Sequence, residues 1–365
     1  MKKGIILSIC IPTYNRKDIL KDTLDEIFSY PNNDIEVVVI DNASTDGTGE
    51  MLDNYDDIRL TVKHNMVNAG MFENQIDALF SGNGKYTLAL MDRDKIFVGK
   101  LLKLVSYLRC TDIGIIQLGN RETRCTYKKG VHAVSYIIIR THPSFLLYNT
   151  SILKTTVNKE EILSTIKSDS DCPYAYTGIV GMLLLNRDDE ICIYPNDGLV
   201  LLEVKQTKSY TRYRMKLKNI YYAPEGSRRR YLNYVDEMVK VYSKKETIRY
   251  LPYIFAGEFY RGTVMHFLNS HDRYTAHKYN IKKIKFETYF KYGLDLYKTA
   301  MEQQIKLKIF KFSNAYEMLS IMGLYLYEMY LLLRNPSKRR EAGEIEQSLE
   351  KWNCGMYNQI IMMFN

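Results

Sequence analysis

The sequence lacks the cysteine patterns of metal-binding and disulfide-rich proteins. Its 365 residues include six cysteines, which lie far apart and form neither a C-x-x-C pair nor a cysteine–histidine metal pattern. Several lie in apolar runs, where a reduced cysteine behaves as a small hydrophobic residue. We therefore expect free structural thiols and a reducing compartment, which predicts a cytoplasmic protein.

Long apolar runs are also absent. The longest, 178–185 and 320–333, are shorter than the ~20 residues that span a bilayer, and Glu328 interrupts the second. The N-terminal stretch has the basic start of a signal peptide, but it is short, has no small-residue cleavage site and breaks at Pro12. We expect no transmembrane helix, and we interpret the N-terminal stretch as the first strand of a sheet.

Positive charge is in excess. The chain has 51 basic and 42 acidic residues, a net charge of +9, which favours an anionic partner. Residues 205–230 concentrate nine lysines and arginines among tyrosines, with Glu225 as the one acid. No RNA- or DNA-binding motif accompanies them, so we expect no nucleic acid. Peripheral contact with anionic lipids at the inner face of the membrane, a diphosphate-linked acceptor, and a solvated face with packed tyrosines are the alternatives.

Strand-like and helix-like segments alternate through the first part of the chain. β-branched runs predict strands at 5–11 and 35–40, further strand-like segments lie at 58–63 and 86–91, and helix-like segments lie between them. This order predicts an α/β fold with a mostly parallel sheet flanked by helices. The pattern continues less regularly, with helices at 97–109 and 174–186 and strands at 113–118, 134–140, 190–194 and 199–204.

Beyond residue 207 the chain changes character. It becomes rich in tyrosine, leucine, methionine and lysine at helical spacing, with few strand signals. We therefore expect an all-α C-terminal domain over 208–365 after an α/β domain over 1–207. Its later helices, such as 315–333, are apolar enough for a core or for a homo-oligomer interface.

Three predicted strands end in polar clusters, and the carboxyl ends of parallel strands are where α/β sheets bind ligands. We expect the clusters to converge on one ligand. Their members are Pro12, Thr13, Tyr14, Asn15 and Arg16 after the first strand, Asp41 and Asn42 after the second, and Asp92, Arg93 and Asp94 after the fourth.

Two carboxylates in the last cluster can share a divalent cation. Asp92 and Asp94 flank Arg93 after an apolar strand, and hard oxygen ligands suit Mg²⁺ or Mn²⁺. A diphosphate would fill the remaining coordination positions, and the cation would neutralise charge on the leaving phosphate. A solvated turn is the alternative.

The other two clusters offer contacts to a nucleotide. Asp41 can accept the imide N–H of a uracil ring, although an Asx-turn or a helix cap is the alternative. Turn formation is the stronger expectation for Asn42. Tyr14 can stack on a base or pack locally, and Arg16 can meet a phosphate or be solvated at the start of a helix.

Four segments together resemble glycosyltransferase family 2 of the GT-A fold, namely 8–16, 34–48, 65–79 and 84–96. The resemblance covers about the first 100 residues. It implies a GT-A catalytic domain over 1–207, with a nucleotide-sugar part (1–100) and an acceptor part (101–207).

The resemblance also implies roles for single residues. Thr13 and Asp41 would contact the uracil of a UDP-sugar, and the loop from Asn68 to Gly70 would pass beside the nucleotide. Asp92 and Asp94 would form the D-x-D pair, with Asp94 nearer a Mn²⁺ or Mg²⁺ ion. The implied reaction transfers one sugar to a hydroxyl acceptor with inversion.

The sequence departs from the family pattern in three places. Lys95 follows the D-x-D pair where many relatives have another acid, and residues 73–75 replace an arginine that is common after the Asn-Ala-Gly loop. The Q-x-x-R-W motif of processive synthases is missing, so we expect a single sugar addition.

An inverting transfer needs a carboxylate near the acceptor hydroxyl. Asp171 is the first candidate and Asp169 the second, because both lie just before the predicted helix at 174–186. Helix capping is the alternative for both. His142 is a further candidate for the acceptor pocket.

The favoured hypothesis is a cytoplasmic glycosyltransferase that extends a growing glycan, a lipid-linked saccharide or a glycoprotein. A nucleotidyltransferase is one alternative, but it would usually need a glycine-rich basic loop after the first strand. A non-catalytic scaffold with the same fold, which binds a membrane or a partner, is the other.

Overall fold

The computed structural model describes residues 4–119, 124–130, 133–134, 137, 142–165, 175–188, 190–201, 224–271 and 282–334. The chain divides into two compact units. The first comprises Met1–Asp169 and Tyr176–Gln206, and the second comprises Ser170–Ala175 and Thr207–Asn365.

A mixed eight-stranded sheet forms the centre of the first unit. Its strands are β1 (Leu7–Thr13), β2 (Ile35–Asp41), β3 (Leu60–His64), β4 (Tyr86–Ala89), β6 (Ile115–Gly119), β7 (Cys125–Lys128), β8 (Leu146–Asn149) and β9 (Glu190–Pro195). The order is β3-β2-β1-β4-β8-β6-β9-β7. Strands β1 to β4 are mutually parallel, whereas β8 runs antiparallel to both of its neighbours. A separate pair joins β5 (Lys95–Ile96) to β10 (Val200–Leu201).

Helices flank this sheet, as the alternation of the sequence predicts. They are α1 (Lys17–Phe28), α2 (Thr48–Asp53), α3 (Met71–Ser81), α4 (Val98–Arg109), α5 (Thr150–Thr156), α6 (Lys159–Thr165) and α7 (Ala175–Asp188). Every residue of β1 and β2 is buried, because helices on both faces exclude water from parallel central strands. The predicted fold class, a mostly parallel sheet followed by a helical region, is confirmed.

One predicted strand is wrong. In the segment 134–140, the described residues Val134 and Ile137 are helical and fully buried. They lie three residues apart on one helical face, and Ile137 packs so closely on α7 that a Cβ at Gly181 would come within 2.6 Å of its Cγ2. A short apolar run fits a buried helix as well as a strand.

The second unit consists of helices in its described parts. They are α8 (Pro224–Val241), α9 (Lys244–Phe259), a π-helix (Tyr260–Met265), α10 (His266–His271), α11 (Phe286–Lys306) and α12 (Phe312–Arg334). Buried aromatic rings form much of its core, including a stacked pair of Phe259 and Tyr325 with centroids 5.5 Å apart. Within the described residues, no helix is both long and apolar enough to cross a membrane.

Part of the basic stretch is not a solvated surface. Arg230 is 1% exposed, and its Nε donates to Glu258 at 2.8 Å. Arg228 and Arg229 pair with Glu225 one turn earlier in α8. The expectation of a basic face therefore fails for Arg230, because a buried carboxylate in α9 draws its guanidinium into the core. Residues 202–223 of the stretch lie outside the described residues.

Candidate active site

The polar clusters meet at one edge of the sheet. Thr13 lies opposite Asp41 in the register of β1 and β2, and Asp41 lies opposite His64 in the register of β2 and β3. After β4, a turn closed by a hydrogen bond from the Asp94 N–H to the Met91 carbonyl presents the D-x-D segment. The Thr13 hydroxyl donates to Asp92 Oδ2 at 3.1 Å, which joins the first cluster to the last.

The loop after β1 is fixed by bonds to the loop after β2. Asn15 adopts a left-handed conformation (φ 54°), which asparagine tolerates better than most residues. Its N–H donates to Ser44 Oγ at 2.9 Å, and its side-chain oxygen accepts from the Thr45 N–H at 2.7 Å. The Arg16 N–H donates to Thr48 Oγ1, and its Nε lies 3.9 Å from Asp92 Oδ2. This loop therefore brings a cation beside Asp92, while Tyr14 remains 42% exposed.

Asp41 is buried and held from two sides. Its Oδ1 accepts from the Ser44 N–H three residues on, at 3.2 Å, which ties the side chain to the loop after β2. Its Oδ2 lies 3.1 Å from His64 Nδ1, and His64 Nε2 lies 3.0 Å from Asp53 Oδ1 in α2. The hydrogen bond to Asp41 is the main cause of a raised pKa for His64.

Asn42 uses its amide to hold the loop before α3. Its side-chain oxygen accepts from Asn65 Nδ2 and the Ala69 N–H, both at 2.9 Å. Its Nδ2 donates to Asn68 Oδ1 at 3.0 Å and to the Gly70 carbonyl at 3.2 Å. Gly70 has a positive φ of 90°, where a Cβ would be strained. These bonds favour the turn interpretation for Asn42 and give Asn68 a loop-shaping contact.

The D-x-D segment contains the most distinctive carboxylate of the site. The Asp94 side chain is 0% exposed, and its Oδ2 accepts from the Ser144 hydroxyl at 2.6 Å. The same hydroxyl accepts from the Met91 N–H at 3.0 Å, and His142 Nδ1 lies 3.7 Å from Oδ2. Asp94 Oδ1 is buried and has no hydrogen-bond partner among the described residues.

Burial controls the protonation of both aspartates. It raises the pKa of Asp94 to about 7, while Arg93 and the Ser144 hydroxyl oppose the rise and Asp92 adds to it. Burial also raises the pKa of Asp92, against the lowering effects of Arg16 and Arg93. Since an opposite charge favours the ionised form of a carboxyl group, this pair would be stabilised by a cation.

The side chains at this edge would supply only some of the ligands that a divalent ion needs. The buried Oδ1 of Asp94 accepts no hydrogen bond within the described residues, although Arg93 Nε lies 3.9 Å from it. It is a hard oxygen ligand of the type Mg²⁺ and Mn²⁺ prefer. Across the described ranges, no cluster of three or more His, Cys, Asp or Glu side chains could hold a metal. A cation here would therefore need oxygen ligands from a diphosphate and water.

Two residues of this site, Ser144 and His64, were not predicted from the sequence. The end of the third strand was a signal for His64, because a parallel neighbour of β2 must end at the same edge. No local pattern indicated that Ser144 would reach Asp94. The general-base candidates Asp169 and Asp171 lie outside the described residues.

Comparisons with known proteins show similarity to glycosyltransferases over part of the chain. The model of a family described as Glycosyl transferase family 2 matches residues 8–156. The abequosyltransferase RfbV of Salmonella typhimurium is 36% identical over 127 residues, which cover 33% of this chain and 38% of the relative. A Bacillus subtilis glycosyltransferase named for teichuronic acid biosynthesis, TuaG, is 30% identical over 105 residues, 28% of this chain and 42% of that protein. The chain thus spans less than half the length of these curated relatives.

A solved structure resembles more of the chain. Residues 1–349 of S. aureus TarS in complex with UDP-GlcNAc align with a TM-score of 0.56, covering 89% of this chain and 91% of that one. At 16% identity, this likeness concerns the fold alone, and it supports the GT-A assignment. The family match confirms the resemblance that the sequence predicts.

Proposed function

We propose that the chain, whose residues 8–156 match the model of glycosyltransferase family 2, transfers a single sugar from a nucleotide-diphosphate sugar to a hydroxyl acceptor. UDP is the proposed nucleotide, and inversion at the anomeric carbon is the proposed outcome. The acceptor is a growing glycan, a lipid-linked saccharide or a glycoprotein. The name of TuaG, which refers to teichuronic acid biosynthesis, supports the first of these acceptors.

One observation carries the proposal: a fully buried carboxylate, one oxygen of which accepts no hydrogen bond from the described residues, lies at the ligand-binding edge of the sheet. Asp94 would hold a Mn²⁺ or Mg²⁺ ion through Oδ1, and Asp92 would face the same ion from the Thr13 side. A bound cation would supply Lewis-acid stabilisation of the departing diphosphate. Arg93 and Arg16 add positive charge beside the two carboxylates.

The remaining cluster residues would form the walls of the donor site. Asp41 would accept the imide N–H of uracil, and Thr13 would border the ring beside it. Pro12 and Asn15 would shape the loop under the nucleotide, where Tyr14 offers an exposed ring for stacking. Asn42, Asn68 and Gly70 would keep the loop before α3 in place.

The acceptor would bind the part of the domain after residue 100. His142 lies against Asp94, which would place it between the cation and the acceptor pocket. Asp171, or else Asp169, would take the proton from the acceptor hydroxyl. Their assignment remains a prediction from the sequence.

A donor-hydrolysis assay tests the proposal. UDP-sugars incubated with Mn²⁺ should release UDP, and EDTA should abolish this release. Asp94→Ala should strongly reduce the release of UDP. Asp25→Asn, which changes an exposed carboxylate on α1, should not reduce it. Release at equal rates with EDTA or with Asp94→Ala would remove the proposed metal role, and no release from any nucleotide sugar would favour a non-catalytic scaffold.

We also propose self-association through α12. Phe312, Tyr316, Leu319 and Tyr327 lie on one uncharged face of this helix and are between 43 and 85% exposed. Gly323 lies midway between Leu319 and Tyr327, and a Cβ there would meet nothing within 4 Å. An antiparallel pair of two copies with its two-fold axis at this glycine would bring each Leu319 to the partner's Tyr327.

Light scattering after gel filtration tests this contact. We expect a dimer that Leu319→Glu converts to a monomer, while Lys298→Glu on an exposed part of α11 leaves it intact. A wild-type monomer at high concentration would refute the dimer. A wild type that binds liposomes through this face instead would assign the face to a membrane.

A cytoplasmic location at the inner face of the membrane is part of the same proposal. Six of the nine cations in 205–230 lie outside the described residues, and they could meet anionic headgroups. Co-sedimentation with anionic vesicles, lost in high salt and absent with neutral vesicles, is the expected result. Equal sedimentation with both vesicle types would exclude the electrostatic contact.

A further inference from the structure

We propose that His64 is a positioning residue that selects the nucleobase of the donor, by holding Asp41 as a hydrogen-bond acceptor for an imide N–H. This inference rests on the proposed function, in which Asp41 faces the base. It adds the third strand end to the nucleotide site and predicts a preference for uracil over cytosine.

The contacts of the imidazole require it to donate twice. Nδ1 lies 3.1 Å from Asp41 Oδ2, and Nε2 lies 3.0 Å from Asp53 Oδ1. An ionised carboxylate accepts hydrogen bonds and cannot donate them, whereas a neutral imidazole has one donor nitrogen and an imidazolium has two. The geometry therefore fits an imidazolium between two carboxylates, Asp41 from β2 and Asp53 from α2.

Gly49 of α2 lies beside both members of the His64–Asp41 contact. A Cβ added there would be 3.3 Å from Asp41 Oδ2, a tight contact, and 3.6 Å from His64 Cε1, an ordinary one. The backbone of α2 therefore packs closely against the carboxylate, while the ring is 39% exposed. Strand register contributes to the His64–Asp41 contact, since Asp41 and His64 are paired residues of β2 and β3.

Asp41 retains acceptor capacity for a ligand. Its carboxylate offers about four lone-pair positions, and the Ser44 N–H and His64 account for two. Uracil presents an N–H at ring position 3, whereas cytosine presents an acceptor lone pair there. A carboxylate held ionised would bond the first and repel the second. A site built to bond an N–H rejects analogues that lack it, because its buried polar group is left unpaired.

A purely structural role is the competing explanation, since the same contacts tie β3 to α2. The two explanations differ in what they change. A structural tie affects stability and lowers affinity for all nucleotides alike. A positioning role changes the ratio of the affinities for UDP and CDP, because their diphosphates and riboses are identical.

Calorimetric titration of the full chain with UDP and with CDP, in Mg²⁺, tests the proposal. We expect His64→Ala to weaken UDP binding about tenfold while CDP binding changes less than twofold, since one charge-assisted hydrogen bond to Asp41 is lost. Lys63→Ala is the matched control. It removes a positive charge from the adjacent residue, whose side chain bonds Ser81 instead.

The outcomes separate the two proposals. Equal weakening of UDP and CDP by His64→Ala, or no change in either, would overturn the positioning role. A wild-type protein that binds neither nucleotide would overturn the proposed function itself.

The wild-type protein provides a second measurement in case His64→Ala does not fold. The raised pKa of His64 means that the ring is charged below this value and neutral above it. The ratio of UDP to CDP affinity should fall as pH rises through that value, and titration of the diphosphate cancels in the ratio. A ratio that stays constant from pH 5.5 to 8.5 would contradict the proposal.

Discussion

The two units each bury a carboxylate completely, and they satisfy it in opposite ways. Glu258 in the helical unit accepts from Arg230 at 2.8 Å, from Arg261 at 2.6 Å and from Ser227 at 3.1 Å. Asp94 in the first unit accepts from Ser144, and its Oδ1 has no hydrogen-bond partner among the described residues. Burial alone therefore does not mark a functional carboxylate. An acceptor that the described fold leaves unsatisfied at a ligand-binding edge is the more informative sign.

The largest expected effect concerns the unsatisfied carboxylate. Asp94→Asn keeps the shape of the side chain and removes its charge, so the proposed cation loses its anchor. We expect donor turnover to fall about 10³-fold or more, since Lewis-acid stabilisation is worth several kcal/mol. Turnover at saturating Mn²⁺ measures this. The folded state should not be weakened, and a loss of both turnover and stability would show that Asp94 is structural.

The opposite result is expected for the satisfied carboxylate. Glu258→Ala removes the buried carboxylate that pairs with the buried Arg230, and breaking a buried ion pair costs about 3 kcal/mol or more. Denaturant unfolding of the helical unit should shift to lower concentration, while UDP affinity below the transition stays unchanged. A stable variant with altered UDP binding would contradict a structural role for Glu258.

The surroundings of Asp94 could be predicted from the sequence in part, and those of Glu258 could not. The strand-end cluster was predictable because parallel strands with buried, β-branched sequences must end at one edge, which brings Thr13, Asp41 and Asp92 together. The antiparallel strand β8 was not predictable, since its four residues are all buried and show no alternation of polar and apolar side chains. Ser144, which donates to Asp94, lies in the turn directly before this strand. The Glu258 cluster depends on a contact between two helices, which periodicity cannot specify.

Proton linkage provides a third and smaller test. Asp94 ionises near pH 7 in the folded state but near 3.8 when unfolded, so the folded state binds the proton more tightly. Without metal, stability should therefore fall as pH rises from about 4 and level off above about 7. Asp94→Asn lacks this loss, and its advantage over the wild type should reach about 2 kcal/mol or more at pH 8 and vanish near pH 4. Denaturant titrations in EDTA at both pH values measure the difference. An advantage that is the same at both would contradict the buried titration.

The smallest expected effect distinguishes the ligand from the residue that orients it. The Ser144 hydroxyl accepts from the Met91 N–H and donates to Asp94 Oδ2, so it directs the other oxygen toward the proposed cation. Ser144→Ala should weaken Mn²⁺ binding about tenfold, as loss of an outer-shell partner typically does. Ser144→Thr, which keeps the hydroxyl, should retain most of the affinity. Mn²⁺ binding in the presence of UDP, followed by electron paramagnetic resonance, measures both variants without turnover. If the two variants lose affinity equally, the size of the side chain at position 144 would be the cause. The Ser144 hydroxyl would then have no role in orienting Asp94.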